Sequence, residues 1–244
     1  MQLSVIHIGE TDSTNCYCRQ LAGQGATDDV AVWADHQTAG RGCGTNSWES
    51  EAGQNLLFSV LIHPKEVRAA DQFILSMANA VALRDTLVDY VDDVTIKWPN
   101  DIYWRDRKLC GTLIETTLQG QYVKDCIIGT GINVNQERFV SDAPNPVSLR
   151  QILGHGVECQ EVLRRVLRHI EKYMEMVADG AWETIRTHYR NHLYRLEETH
   201  GYRFPDGSVE RCKLTGVTDD GHLLLLSEER GACRLAFKEV QFII

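Results

Sequence analysis

No apolar run in the chain approaches the roughly 18 to 20 residues that a membrane-spanning helix needs. The longest are short, such as Leu223-Leu224-Leu225-Leu226. The N-terminus, Met1 to His7, lacks a basic segment followed by an apolar core and a small-residue cleavage site, which argues against export. Positive charge is in deficit: 25 Lys and Arg stand against 34 Asp and Glu, a formal charge of −9. Gripping nucleic-acid backbone requires a basic face, so neither DNA binding nor that whole class is expected; a local basic pocket for one small phosphate ligand stays open. The eight cysteines, at 16, 18, 43, 110, 126, 159, 212 and 233, form no C-x-x-C pair, and Cys16 and Cys18 stand too close for a zinc-knuckle arm. Reduced thiols in the cytosol are the expectation. The nine histidines show no metal-ligand spacing, so no metal-ligating set of side chains is expected. Internal repeats and low-complexity segments are missing too.

What is present is an ordinary globular composition. With 244 residues, 43% of them hydrophobic and 24% charged, the chain can bury one sizeable core and carry a small second module. Residues 3–8 and 30–35 are strand-like, and Asp12-Ser13-Thr14-Asn15 offers N-caps for a helix to about Ala22, ended by Gly23 and Gly25. Residues 40–54 form a glycine-rich loop. Leu56 to Ile62 is a continuous apolar run, hence a buried strand closed by Pro64. Apolar spacing predicts helices over 71–91, 160–178 and from Trp182 to Leu193, and strands over 94–98, 110–118 and 122–134. After about Tyr194 short β-like runs (209–217, 223–227, 234–237, 240–244) alternate with Asp206-Gly207, Asp219-Asp220-Gly221 and Arg230-Gly231 turn signals. The expectation is a mixed α/β domain over 1–194 with a small β-barrel or sheet over 195–244.

Four segments hold residue types poorly suited to plain scaffolding. Gly40-Arg41-Gly42-Cys43-Gly44-Thr45-Asn46-Ser47-Trp48 lets the backbone approach a ligand closely, with Arg41 as a planar fork for a carboxylate or phosphate. It is not a phosphate loop, since no Gly-Lys-Ser/Thr follows, and a solvated surface loop is its plain alternative. Lys97-Trp98-Pro99-Asn100-Asp101 puts a polar pair at a strand tip, where α/β folds place ligand chemistry. Arg105-Asp106-Arg107 reads as a hairpin tip returning the chain to Lys108, a lysine that enters a core strand either to snorkel or to act. Gly129-Thr130-Gly131-Ile132-Asn133 places two glycines in a strand and an amide suited to a nucleobase edge; taken alone, the segment reads more simply as a bulge with a satisfied buried Asn. Ser13-Thr14-Asn15 is either a cap or a polar ligand contact.

Taken together, in this order and spacing, these segments resemble biotin protein ligases, in a short form, over nearly the whole chain. The resemblance implies an α+β fold: a mixed sheet with packed helices like the class II aminoacyl-tRNA synthetase and biotin ligase catalytic domain, and a C-terminal Src homology 3-like barrel. It implies that Ser13, Thr14, Asn15, Gln37, Gly40, Arg41, Gly42, Cys43, Lys108, Gly111 and Gly129 bind biotin. Asn100, Asp101, Asn133 and Trp48 would serve the nucleotide, with Lys108 and Arg41 as the catalytic cations. ATP and biotin are the implied substrates and Mg²⁺ the implied ion. The implied partner is the biotin carboxyl carrier domain of a carboxylase, and an exposed edge of the sheet serves either to dock that carrier or to form a homodimer.

The implied chemistry suits the residues. ATP converts a carboxylate to biotinyl-5′-AMP with loss of pyrophosphate, and a carrier lysine displaces AMP, so no serine–histidine nucleophile is needed. One departure stands out: the family loop reads Gly-Arg-Gly-Arg-Arg-Gly, whereas Cys43, Gly44 and Thr45 hold the last three positions here. Weaker retention of the adenylate is one consequence; replacement of the lost contacts by Asn46 or backbone amides is the other. Only a dozen residues precede Ser13, so a winged-helix DNA-binding domain is not expected. A lipoate or octanoate transferase and a non-catalytic biotin or nucleotide binder are the competing readings.

Overall fold

The computed structural model describes residues 1–141 and 145–244. Seven strands form the larger sheet: β1 (Ser4–Thr11), β2 (Val30–Gln37), β3 (Leu56–Ile62), β4 (Val94–Lys97), β5 (Asp101–Trp104), β6 (Arg107–Gln119) and β7 (Tyr122–Ile132). Their order is β1-β2-β3-β7-β6-β5-β4, and every ladder is antiparallel except β1–β2. That parallel pair needs a crossover, which helix α1 (Thr14–Gly23) supplies. β3 is buried at all seven positions because both faces of the sheet are covered. On one side α1 sets Cys18 against Val30, Val32, Leu61 and Ile127.

The other face carries the main core. Helix α2 (Phe73–Leu87) lies beneath the sheet with α4 (Cys159–Ala178) and α5 (Trp182–Asn191) packed on it. α2 is apolar nearly all round, as a helix enclosed on every side must be. α4 is one-sided instead: Val162, Leu163, Val166, Ile170 and Val177 are buried at three- and four-residue spacing. Each such side chain contributes on the order of 1.5–3 kcal/mol by leaving water.

A second, five-stranded antiparallel sheet follows: β8 (Thr199–Arg203), β9 (Val209–Val217), β10 (Leu223–Ser227), β11 (Gly231–Leu235) and β12 (Gln241–Phe242), in the order β11-β10-β9-β8-β12. β3, β9 and β10 match the sequence reading residue for residue. Other elements differ. β11 begins at Gly231 rather than Arg234, and β12 shortens to two residues. β5, β8 and the one-turn helix α3 (Leu149–Leu153), started by a Ser148–Gln151 capping box, were not foreseen. The ladders of the small sheet form an open series with β11 and β12 at its edges, and no β11–β12 pairing closes it among the described residues.

The two sheets share one apolar cluster that runs from Leu56 and Ile74 to Tyr202 and Leu225. Trp98 Nε1 donates to the Gly221 carbonyl at 2.9 Å across the junction. Among the described residues no helix is long and apolar enough to cross a membrane.

Candidate active site

A cavity of about 660 Å³ opens where the C-terminal end of β2, the start of α1, the glycine loop, the β4–β5 turn and the middle of β6 and β7 meet. That volume lies in the range of ordinary small-ligand pockets. Of the residues named from sequence, Ser13, Thr14, Asn15, Gln37, Arg41, Gly42, Cys43, Trp48, Asn100, Asp101, Lys108, Gly111, Gly129 and Asn133 all line it. Gly40 does not. It sits behind the wall, where a Cβ would meet the Trp48 carbonyl oxygen at 2.7 Å.

The floor is a polar network under the start of α1. Ser13 takes the N-cap position with extended backbone, but its side chain makes no capping bond. The cap comes from the neighbouring strand: Gln37 Oε1 accepts from Thr14 N at 2.8 Å and from Thr14 Oγ1 at 3.0 Å. Simple capping by Ser13 therefore does not account for the triplet. Ser59 Oγ lies 2.6 Å from both Thr14 Oγ1 and Asn15 Oδ1, and its single hydrogen serves one of them at a time. Asn15 Nδ2 donates to Glu115 Oε2 at 2.9 Å. A Cβ on Gly129 would stand 1.9 Å from Asn15 Oδ1, so the strand must be side-chain-free there.

Glu115 and Ser59 were not singled out from sequence. Both sit inside strands, and only the fold brings them under Asn15. Glu115 also holds two arginines through Oε1, Arg19 Nη2 at 2.7 Å and Arg41 Nη1 at 3.4 Å. The glycine loop is thereby tied down. It forms a small hairpin of its own, with Trp48 N donating to Gly40 O at 3.0 Å and Gly42 N to Asn46 O at 2.8 Å. Trp48 folds over two glycines of the sheet: a Cβ on Gly131 would meet its indole at 2.3 Å, and one on Gly111 at 2.7 Å.

Lys108 reaches the cleft by an irregularity of the ladder. Lys108 and Gly111 are three apart, which in a regular strand puts them on opposite faces. The β5–β6 register shifts between Ile102 and Tyr103, so that Leu109 is the extra residue of a bulge. Lys108 thus rejoins the face of Gly111, Leu113 and Glu115, its Nζ 3.1 Å from where a Gly111 Cβ would be. There Nζ donates to Asp101 Oδ2 at 2.7 Å. Asp101 is the first residue of β5, in register with Lys97, rather than a free strand tip. Lys97 also lines the cavity, its ammonium 5.3 Å from the Tyr103 ring centre and 4.7 Å from that of Phe242. Burial pushes Lys97 below the ordinary lysine value, with Asp101 opposing.

The far wall holds Asn133, 2% exposed, whose Nδ2 donates to the Lys108 carbonyl at 3.4 Å. Glu49 closes the rim, accepting from the Val140 and Ser141 amides at 2.9 and 2.8 Å. Burial alone would raise its carboxyl; the bonds from Ser141 and the Val140 amide outweigh burial and hold it below the usual range. Two cavity residues carry buried polar atoms without a partner among the described residues, Trp48 Nε1 and Thr130 Oγ1. Phe237, in the turn between β11 and β12, completes the lining. Three cations, Arg41, Lys97 and Lys108, and two carboxylates, Glu49 and Asp101, therefore border the cleft. Its Ser13, Thr14, Asn15 and Gln37 side consists of uncharged hydrogen-bonding groups, with Glu115 behind them. Such a cleft suits a ligand that carries a neutral polar ring and an anionic end. Among the described residues no group of three His, Cys, Asp or Glu side chains is placed to hold a metal.

The sequence pattern of the biotin/lipoate A/B protein ligase family matches residues 9–133, the stretch that holds most of the lining of this cleft. The chain belongs to that family. Its similarities are to biotin ligases in particular. It is 30% identical over 227 residues to the biotin–[acetyl-CoA-carboxylase] ligase of Paracoccus denitrificans, covering 89% of this chain and 92% of that one. It is 30% identical over 224 residues to the bifunctional ligase/repressor BirA of Bacillus subtilis (strain 168), covering 89% of this chain and 67% of that one. Among solved structures, the biotin protein ligase from Aquifex aeolicus in complex with biotin and ATP superposes with a TM-score of 0.81 at 26% identity. The match covers 98% of this chain and 99% of that one.

Proposed function

We propose that the chain activates biotin with ATP to biotinyl-5′-AMP, releasing pyrophosphate, and passes the biotinyl group to a lysine of a biotin carboxyl carrier domain, releasing AMP. The observation that carries this reading is the convergence of Lys108 and Arg41 with the Ser13-Thr14-Asn15 floor in one cavity. In it the ring of biotin lies on Ser13, Thr14, Asn15 and Gln37, against the backbone of Gly111 and Gly129. Arg41, Gly42 and Cys43 close over it, with Gly40 behind them at the base of the hairpin. The carboxylate and the α-phosphate are both anions, and bringing them together is the main barrier. Lys108 neutralises the reacting carboxylate and the charge that develops on the phosphorus-bound oxygens, and Arg41 adds to this from the loop. Asn133 reads the adenine edge, Trp48 covers it, and Asn100 and Asp101 face the phosphates.

Asp101, already paired with Lys108, does not make a cation cage by itself. Mg²⁺ would be held by the nucleotide phosphates with Asp101 and Asn100, and would supply further charge neutralisation there. We assign residues 1–194 to catalysis and 195–244 to a Src homology 3-like unit that closes the cleft from the C-terminal side. The open β1 edge, where Val5 is exposed, is the surface we assign to the carrier domain or a second copy of the chain.

The test is biotin-dependent exchange of pyrophosphate into ATP. Exchange that requires biotin, ignores lipoate and falls about 10²–10³-fold in Lys108→Ala supports the reading. Biotin binding without exchange would leave a binding protein, and exchange with lipoate would move the chain to the other branch of its family.

A further inference from the structure

Beyond Arg41, the glycine hairpin carries no cation of its own: Cys43, Gly44 and Thr45 follow. A lysine from the other end of the chain lies against it. Lys238 sits in the turn between β11 and β12, which Glu239 N closes on Ala236 O at 3.0 Å while the Glu239 carboxylate accepts from Ala236 N at 2.7 Å. Its backbone φ is 74°, in the left-handed region that residues other than glycine seldom adopt. The side chain crosses to the hairpin. A Cβ on Gly44, itself at φ 68°, would lie 3.0 Å from Lys238 Nζ and 4.0 Å from its Cε. The preceding residue, Phe237, lines the cleft and packs edge-on against Trp98 with ring centres 5.9 Å apart, so the turn is anchored at the rim. No carboxylate among the described residues forms an ion pair with Lys238; Arg230, Arg234 and Lys213 take the neighbouring acids of the small sheet.

We propose that Lys238 is a positioning residue that latches the small sheet onto the glycine hairpin and brings to it the second positive charge that its own sequence lacks, for the phosphate of the activated acyl nucleotide. The phosphate part rests on the adenylating reading of the cleft; the latch does not. An ammonium on a flexible stem is a mobile point charge with three donors, suited to follow a hairpin that closes on an anion. Gly44 leaves the room this requires, and any side chain there would meet the ammonium.

The experiment uses the full chain with Lys238→Met, which keeps length and removes charge, and Lys238→Arg. Two readouts are taken: the rate of trypsin cleavage after Arg41 without ligand, and the release rate of biotinyl-AMP formed from biotin and ATP. Lys238→Met is expected to speed cleavage and to raise release about three- to tenfold. The difference should shrink in high salt, and Lys238→Arg should restore both readouts. Unchanged cleavage and release in Lys238→Met would overturn the proposal. If the wild-type chain forms no biotinyl-AMP, the adenylating reading fails and the phosphate role with it, while the ligand-free cleavage rates still decide the latch.

Discussion

Asn15 shows how little freedom the cleft floor has. Its two amide atoms are both engaged, one by Ser59 and one by Glu115, and Gly129 presses on it from the strand below. Gly129→Ala would force the amide out of place and break bonds worth about 1 kcal/mol each. We expect biotin binding to weaken by about tenfold or more, measured by calorimetric titration, and a change confined to stability would refute that role for the floor. Glu115 is a different case because it carries charge for others. In Glu115→Gln an acceptor for Asn15 survives but the ion pairs with Arg19 and Arg41 do not. These pairs are partly exposed, so the loss of stability should be about 0.5–1 kcal/mol. The larger effect is expected on biotin affinity, through Arg41, and titration at low and high salt would show it as a flattened salt dependence. Neither Glu115 nor Ser59 could be picked from sequence, since a polar residue in a strand gives no local sign of what lies across the sheet. Gly129 and Gly131 could, because glycine weakens a strand and is retained inside one chiefly where a side chain would not fit.

At the level of elements, legibility followed continuity of apolar pattern. β3 and β10 are apolar runs with turn signals at both ends, so their limits coincide with the sequence reading. β5 is only four residues long, and β8 includes His200 and Gly201; both exist because neighbouring strands pair with them on each side, a long-range effect that composition does not carry. The small sheet also contains a charge cluster invisible as such in the sequence. Glu210 of β9 is buried and bonded by the Ser227 hydroxyl and the Arg230 guanidinium, which together hold its carboxyl below the ordinary value. Asp206, bonded by Ser208 and Arg230, is likewise held low. A carboxyl whose folded pKa is depressed contributes stability above its unfolded value, near 4.3 for Glu, and loses it as pH falls through the lower folded value. The melting midpoint should therefore be level from neutrality to about pH 5 and drop below about pH 4. Glu210→Gln should be less stable at neutrality and show a shallower acid limb. An acid limb identical in the variant would rule out a contribution from Glu210.

Across the whole molecule the two sheets behave as one body. A single apolar cluster spans them, Trp98 bonds to Gly221, and Gly221 at φ 93° has no room for a Cβ, which would meet Phe73 of α2 at 2.7 Å. Calorimetry should show one main transition for the wild-type chain. Gly221→Ala should lower stability by about 1–3 kcal/mol and uncouple the small sheet. Two resolved transitions in the wild-type chain would contradict that coupling. The bulge at Leu109 has a consequence of another kind, for the length of the gene. Loss of that one codon would leave a regular ladder in which Lys108 stands two residues from Gly111, still on its face, so the lysine keeps its aim while a buried leucine is lost from the core. A single codon gained beside it would set the lysine four residues from Gly111: with the bulge kept it turns to the other face, and with the bulge lost it returns to this face but one pair farther along the strand. Drift in length at this point of the gene is therefore lopsided: shortening costs packing, and lengthening costs the chemistry.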